Sequence, residues 1–177
     1  MRLQGARCAV RGWRLTDADA LVRHANNANV ACQLRDRFPH PYSKASAQMF
    51  LDAAVARDEA SNLAIEVDGE AAGAIGYVIG TDVERYSAEI GYWLGEAVWG
   101  RGIATEALEL ATAHAFGSVN LLRLFALPFA DNAGSIRVLE KAGYTREGVL
   151  RAGCVKFGRP RDQVLYARIN PDWRGPL

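Results

Sequence analysis

Ala88-Glu89-Ile90-Gly91-Tyr92-Trp93-Leu94-Gly95-Glu96-Ala97-Val98-Trp99-Gly100-Arg101-Gly102-Ile103-Ala104-Thr105-Glu106-Ala107-Leu108 reads as a strand, a glycine-containing loop and a helix in series. Gly100 and Gly102 allow a sharp turn and a close backbone approach that a Cβ would block. Free N–H groups of the loop and the first helical turn then converge, with the helix dipole behind them. Such a nest suits a phosphate or pyrophosphate. The stretch lacks the lysine and Ser/Thr of a P-loop. It also places Thr105 where a dinucleotide fingerprint needs its third glycine. Taken alone, Gly-Arg-Gly reads as an ordinary loop before a helix.

Outward from this segment, the pattern predicts one α/β domain over residues 1–177 with a mixed sheet. Upstream, alternation over Cys8–Arg14 predicts a strand. Thr16 and Asp19 resemble a capping box for a helix over Ala18–Asn26. Asn26–Asn29 breaks that helix. Ser43 caps another, whose apolar positions Ala47, Phe50, Leu51, Ala54 and Val55 form a buried stripe. Asn62–Val67 and Glu70–Ile79 flank an Asp68-Gly69 hairpin turn, and Ser87–Leu94 is the next strand. Downstream, a helix over Gly102–Phe116, a strand over Leu121–Leu127 and a helix over Asn132–Ala142 precede strands Tyr144–Leu150 and Gln163–Ile169.

Trp99-Gly100-Arg101-Gly102-Ile103-Ala104 resembles the Q/R-x-x-G-x-G/A acyl-CoA loop of the GNAT superfamily of N-acetyltransferases, with Trp99 in place of the usual Gln or Arg. Asp131-Asn132-Ala133-Gly134-Ser135-Ile136-Arg137-Val138-Leu139-Glu140-Lys141-Ala142-Gly143-Tyr144 resembles the family's N-x-x-S…EK-x-G-[FY] helix. The Gly-Tyr-Trp strand and Trp99 are similar to the branch that acetylates ribosomal-protein N-termini. The resemblance implies a mixed, mostly antiparallel sheet of six or seven strands flanked by about four helices, splayed between Ala88–Leu94 and Leu121–Leu127. It implies acetyl-CoA as co-substrate and direct transfer to a primary amine in a ternary complex. The acceptor is a protein N-terminal α-amine or a small amine such as a polyamine, amino acid or antibiotic. A non-catalytic acyl-CoA-binding module is the alternative.

By the same resemblance, the amides of Arg101, Gly102, Ile103 and Ala104 hold the pyrophosphate, with Thr105 nearby and Trp99 and Gly100 completing the cofactor loop. Asn132 bonds the pantetheine arm or simply caps its helix. A protonated amine must lose a proton before it attacks a thioester. Glu89, sharing a strand face with Gly91, is the candidate base; its alternative is a structural carboxylate paired with an arginine. Many relatives carry an acidic tyrosine where this chain has Leu139, so Ser135 becomes the candidate acid, with a plain first-turn helix residue as the alternative. Arg35, Tyr42 and Arg85 are candidate acceptor contacts, and Glu106 reads as a solvated residue or a partner of the helix dipole. A homodimer is a family expectation.

Composition narrows the classes further. The 177 residues carry 21 Lys+Arg and 20 Asp+Glu, a formal charge of +1. That balance disfavours a nucleic-acid binder. The segment from Thr145 to Leu177 nevertheless has seven basic against three acidic residues. Cys8, Cys32 and Cys154 are scattered, as are His24, His40 and His114, so no metal site is expected. Neither a signal peptide nor a membrane-spanning run is expected, which places the chain in the cytoplasm.

Overall fold

The structure, a computed structural model, describes residues 1–57 and 61–175. Its fold is mixed α/β, with a mostly antiparallel sheet of eight strands and five α-helices among the described residues. The chain divides into two compact units, Met1–Gly76 with Tyr92–Leu110 and Tyr77–Gly91 with Ala111–Leu177.

In the first unit, β1 (Arg2–Gln4), β2 (Ala9–Arg11), β3 (Asn62–Val67) and the start of β4 (Glu70–Ile79) pair antiparallel in chain order. The Asp68-Gly69 turn closes β3 onto β4 as its composition predicts, with both residues at positive φ (51° and 86°). Strand β1 was not anticipated; three residues are too few to show alternation. The predicted Cys8–Arg14 strand contracts to Ala9–Arg11 because Asp17 takes over beyond it. Asp17 accepts from the Arg14 amide and from both terminal nitrogens of Arg11. It therefore does the work expected of Thr16 and Asp19, and a 3-10 turn at Leu15–Asp17 leads into α1 (Ala18–Ala25).

The Asn26–Asn29 break also starts a new turn of helix. Asn27 caps α2 (Ala28–Ala31), accepting from the amides of Asn29 and Val30. Ser43 Oγ accepts from the Ser46 amide at the start of α3 (Lys44–Arg57), as expected. Ala47 and Leu51 are fully buried with Trp13, Leu21 and Tyr42, and Phe50 and Ala54 pack against them. Val55, placed in the same stripe by its spacing, is exposed.

The first unit also holds the opening turns of α4 (Ile103–Ser118). Glu106 is not a solvated residue there. Its carboxylate accepts from the amides of Ala6, Arg7 and Cys8 at 2.7–3.0 Å, clasping the β1–β2 turn to the helix. Burial alone would raise its pKa, but these N–H donors outweigh burial and hold it below the usual range. Burial and the neighbouring Glu106 push the Cys8 thiol up to about 12, which keeps it in the thiol form. Glu106→Ala orphans three amides and is expected to cost about 2–3 kcal/mol. Urea denaturation reads that loss, and a change under about 0.5 kcal/mol would refute the clasp.

In the second unit the order is β5 (Ser87–Leu94, its first five residues), β6 (Arg123–Ala126), β8 (Arg159–Ile169) and β7 (Thr145–Lys156). β6–β8 and β7–β8 are antiparallel, whereas β5 and β6 run parallel. β7 and β8 each extend well past their predicted ends into one long hairpin. Its turn is Phe157-Gly158, both at positive φ. A register shift between Leu150 and Cys154, with Ala152 at φ 48°, interrupts the alternation and hides the part of β7 beyond Leu150 from a pattern reading. Helix α5 (Ala133–Lys141) and the end of α4 complete the unit, where Thr112 Oγ1 and the buried Tyr144 hydroxyl lie 2.7 Å apart.

Candidate active site

The glycine loop belongs to the first unit and is built from a chain of small constraints. Gly95 has no room for a Cβ because the His24 ring packs against it. Glu96 is gripped from α2 and its cap: Asn27 Nδ2 donates at 2.7 Å and Asn29 Nδ2 to both carboxylate oxygens at 3.0 and 3.1 Å. These amide donors hold the Glu96 pKa below the usual carboxylate range. The Trp99 amide donates back to the Glu96 carbonyl, and its indole Nε1 donates to the Leu94 carbonyl at 2.7 Å. Trp99 therefore closes the loop base, although its side chain remains half exposed (46%).

Past that closure, Gly100 and Gly102 both adopt φ 76°. A Cβ at Gly100 would meet nothing within 4 Å, so backbone conformation and not crowding demands glycine there. Arg101 lies between them, exposed, its guanidinium 3.4 Å from Asp68. Ile103 anchors the first turn of α4 with 1% exposure, while Ala104 and Thr105 are half-buried. The first N–H groups of that turn have no intrahelical acceptor. Exposed glycines, left-handed turns and a 16-residue helix behind them form a cradle that fits a pyrophosphate.

Glu89, Arg85, Asn132 and Ser135 belong to the second unit. The parallel ladder between β5 and β6 has three pairs, Ser87–Arg123, Ala88–Leu124 and Glu89–Phe125, and stops there. Glu89 thus stands at its last rung. It lies on the face opposite the buried Ala88 and Ile90, and two residues on Gly91 leaves open space where a Cβ would meet nothing within 4 Å. Asn132 caps α5, its Oδ1 accepting from the Ser135 amide at 3.0 Å. That bond uses only the acceptor of the carboxamide and leaves its donor end for other work. Leu139, which takes the place where the family resemblance implies a tyrosine, is fully buried.

The acceptor candidates separate by environment. Arg35 is exposed in the first unit. Tyr42 is 5% exposed in that unit's core beside Phe38, and burial pushes its hydroxyl pKa up to about 12. In the second unit, Arg85 is held on its own turn: Nη1 donates to the Asp82 carbonyl at 2.8 Å and the guanidinium covers the Tyr86 ring. The Asn27–Glu96–Asn29 grip and the Glu106 clasp were invisible in sequence because their partners lie 67 to 100 residues apart. No local motif marks them.

Residues 7–145 match the family model described as Acetyltransferase (GNAT) domain. The curated "Probable N-acetyltransferase YjcK" of Bacillus subtilis is 43% identical over 86 residues, 49% of this chain and 48% of that protein. The chain thus spans about half the length of the first curated relatives it matches. The Bacillus licheniformis "Uncharacterized N-acetyltransferase p20" is 30% identical over 176 residues, 96% of each chain. Escherichia coli relatives include a ribosomal-protein-serine acetyltransferase (37% over 83 residues, 47% of this chain and 46% of that one). They also include spermidine N(1)-acetyltransferase (30% over 126 residues, 71% and 66%). Among solved structures, Mycobacterium smegmatis RimJ in complex with CoA-disulfide superposes with a TM-score of 0.80 at 28% identity, covering 92% of this chain and 81% of that one. With its glycine cradle, its short parallel β5–β6 ladder and the family model matched over most of its length, the chain belongs to the GNAT acetyltransferase family.

Proposed function

We propose that this chain is an acetyl-CoA-dependent N-acetyltransferase whose acceptor is a protein N-terminal α-amine, and that residues 1–177 act as one catalytic domain. The observation that carries the reading is the loop Trp99–Thr105, with φ 76° at both glycines leading into the first turn of α4, whose N–H groups have no intrahelical acceptor. Bound acetyl-CoA supplies the thioester. Amides of Arg101, Gly102, Ile103 and Ala104 hold its pyrophosphate, Thr105 lies beside them, and the Asn132 carboxamide bonds the pantetheine arm. Glu89 takes the proton from the incoming ammonium, directly or through water, so that the neutral amine attacks. Ser135 is the candidate to protonate the departing thiolate, and Arg35 and Arg85 are the candidate acceptor contacts, because Tyr42 is buried in the core of the first unit. Among the described residues no helix is long and apolar enough to cross a membrane. A cytoplasmic homodimer is the setting proposed.

The ribosomal-protein relative supports the α-amine. The spermidine relative supports a second reading, a polyamine acceptor. Both are separated by following thiol release from acetyl-CoA against N-terminal peptides and polyamines. The α-amine reading expects turnover with peptides and at least about tenfold lower kcat/KM with spermidine; the reverse order overturns it. At about 100 times its Kd, acetyl-CoA adds about 2.7 kcal/mol. For a chain of this size that raises Tm by about 5–10 °C. No shift at millimolar acetyl-CoA would refute the cofactor assignment.

A further inference from the structure

Arg101 is the cation that sequence places in the glycine loop, yet its guanidinium turns toward Asp68. A different arginine stands over the loop. The nearest atoms to a Cβ built on Gly102 are Arg7 Nε, Cδ and Cζ, at 3.5, 3.6 and 3.9 Å. Arg7 comes from the turn between β1 and β2, 95 residues away in the chain. Its backbone is pinned, because the amides of Ala6, Arg7 and Cys8 all donate to Glu106, one turn into α4. Its side chain is 60% exposed, and among the described residues its charge meets Glu106 at a loose 3.8 Å. The guanidinium is therefore placed beside the cradle while most of its donor surface faces solvent.

We propose that Arg7 is a phosphate-binding residue of this site, its guanidinium contacting the pyrophosphate held by the amides of the loop. The inference rests on the acetyl-CoA reading above. The backbone cradle supplies dipoles but no net charge. A planar guanidinium adds charge-assisted hydrogen bonds to phosphate oxygens that the amides leave free. The Glu106 clasp acquires a purpose here, since it ties the turn carrying Arg7 to the helix whose N-terminus faces the same anion. The carboxylate end of that clasp is spent on three amides, which leaves the guanidinium for a ligand.

The test is calorimetric titration of CoA, 3′-dephospho-CoA and inorganic pyrophosphate into the wild-type protein, Arg7→Ala and Arg7→Lys. The backbone amides that bind Glu106 survive both substitutions, so an unchanged Tm in the absence of ligand is expected. Arg7→Ala should weaken CoA and 3′-dephospho-CoA by the same factor, about five- to tenfold, and flatten the salt dependence of both. Arg7→Lys, which keeps charge without the fork, should fall between. KM for acetyl-CoA should rise in step while kcat at saturation stays within about twofold. CoA binding within twofold of wild type in Arg7→Ala overturns the proposal, as does a loss confined to CoA, which would assign Arg7 to the 3′-phosphate. If the wild-type protein binds none of the three, the acetyl-CoA reading falls too, and that outcome is distinct from an Arg7-only failure.

Discussion

Glu89→Gln is expected to lower kcat for acetyl transfer by about 100-fold or more at pH 7, in the range general-base catalysis contributes. The substitution keeps the shape of the side chain and its place at the last rung of the β5–β6 ladder, opposite Phe125. It replaces the carboxylate with a neutral carboxamide that cannot accept the proton. An amine with a pKa near 8 to 10 is mostly ammonium at neutral pH, so each turnover needs a proton acceptor beside the nucleophile. The position suits that task because Ala88 and Ile90 take the buried face of β5 and Glu89 the other, next to the open space at Gly91. With the base gone, only amine that arrives neutral reacts. The residual rate should therefore climb roughly tenfold per pH unit up to the amine pKa. The thermal shift with acetyl-CoA should be unchanged, since the loop is untouched. Full wild-type rate across pH 6 to 9 would show that Glu89 is structural.

What was legible in sequence follows a simple physical line. Segments that carry their own turn chemistry were readable: the β3–β4 hairpin through Asp68-Gly69, α3 through Ser43, and the loop before α4 through Gly100 and Gly102. Each depends on residues within a few positions of one another, which a pattern can detect. Asn132 was read with both its roles, and the structure shows the cap. The features that failed to show depend on distant partners or on brevity. β1 has three residues, β7 is broken by the shift near Ala152, and Asp17 draws Arg11 in from another element. The same rule governs the site. Arg101 drew notice by adjacency, whereas Arg7 is brought to Gly102 only by the clasp on Glu106. A sequence reading finds the glycine loop and misses the side chains the fold brings beside it.

The largest stability effect is expected at that Arg11, which is 2% exposed. Its guanidinium meets Asp17 in a bidentate pair with both contacts at 2.8 Å, and its Nε donates to Glu66, which Arg2 also reaches at 2.8 Å. The two carboxylates are nearly as buried, with side chains 8% and 10% exposed. Arg11→Met preserves volume but strips Asp17 of its bidentate partner and Glu66 of one donor, leaving Glu66 to Arg2 and a 3.8 Å approach of Arg14, and should cost about 3–5 kcal/mol. The pH dependence identifies the cause. Hydrogen bonds from Arg2 and then Arg11 hold the Glu66 pKa down at about 2, against an ordinary 4.5. A depressed carboxylate stabilises the folded state above its unfolded pKa and loses that contribution as pH falls through its folded one. Wild-type stability should therefore decline from about pH 4.5 downward. In Arg11→Met, Glu66 has lost one of the donors that depress its pKa and so loses less as pH falls, and the gap between the two proteins should be widest near pH 7 and narrow toward pH 3. Denaturant midpoints measured over that range decide it. A gap that stays constant with pH would mean that Arg11 contributes packing alone, and that Asp17 and Glu66 find their compensation elsewhere.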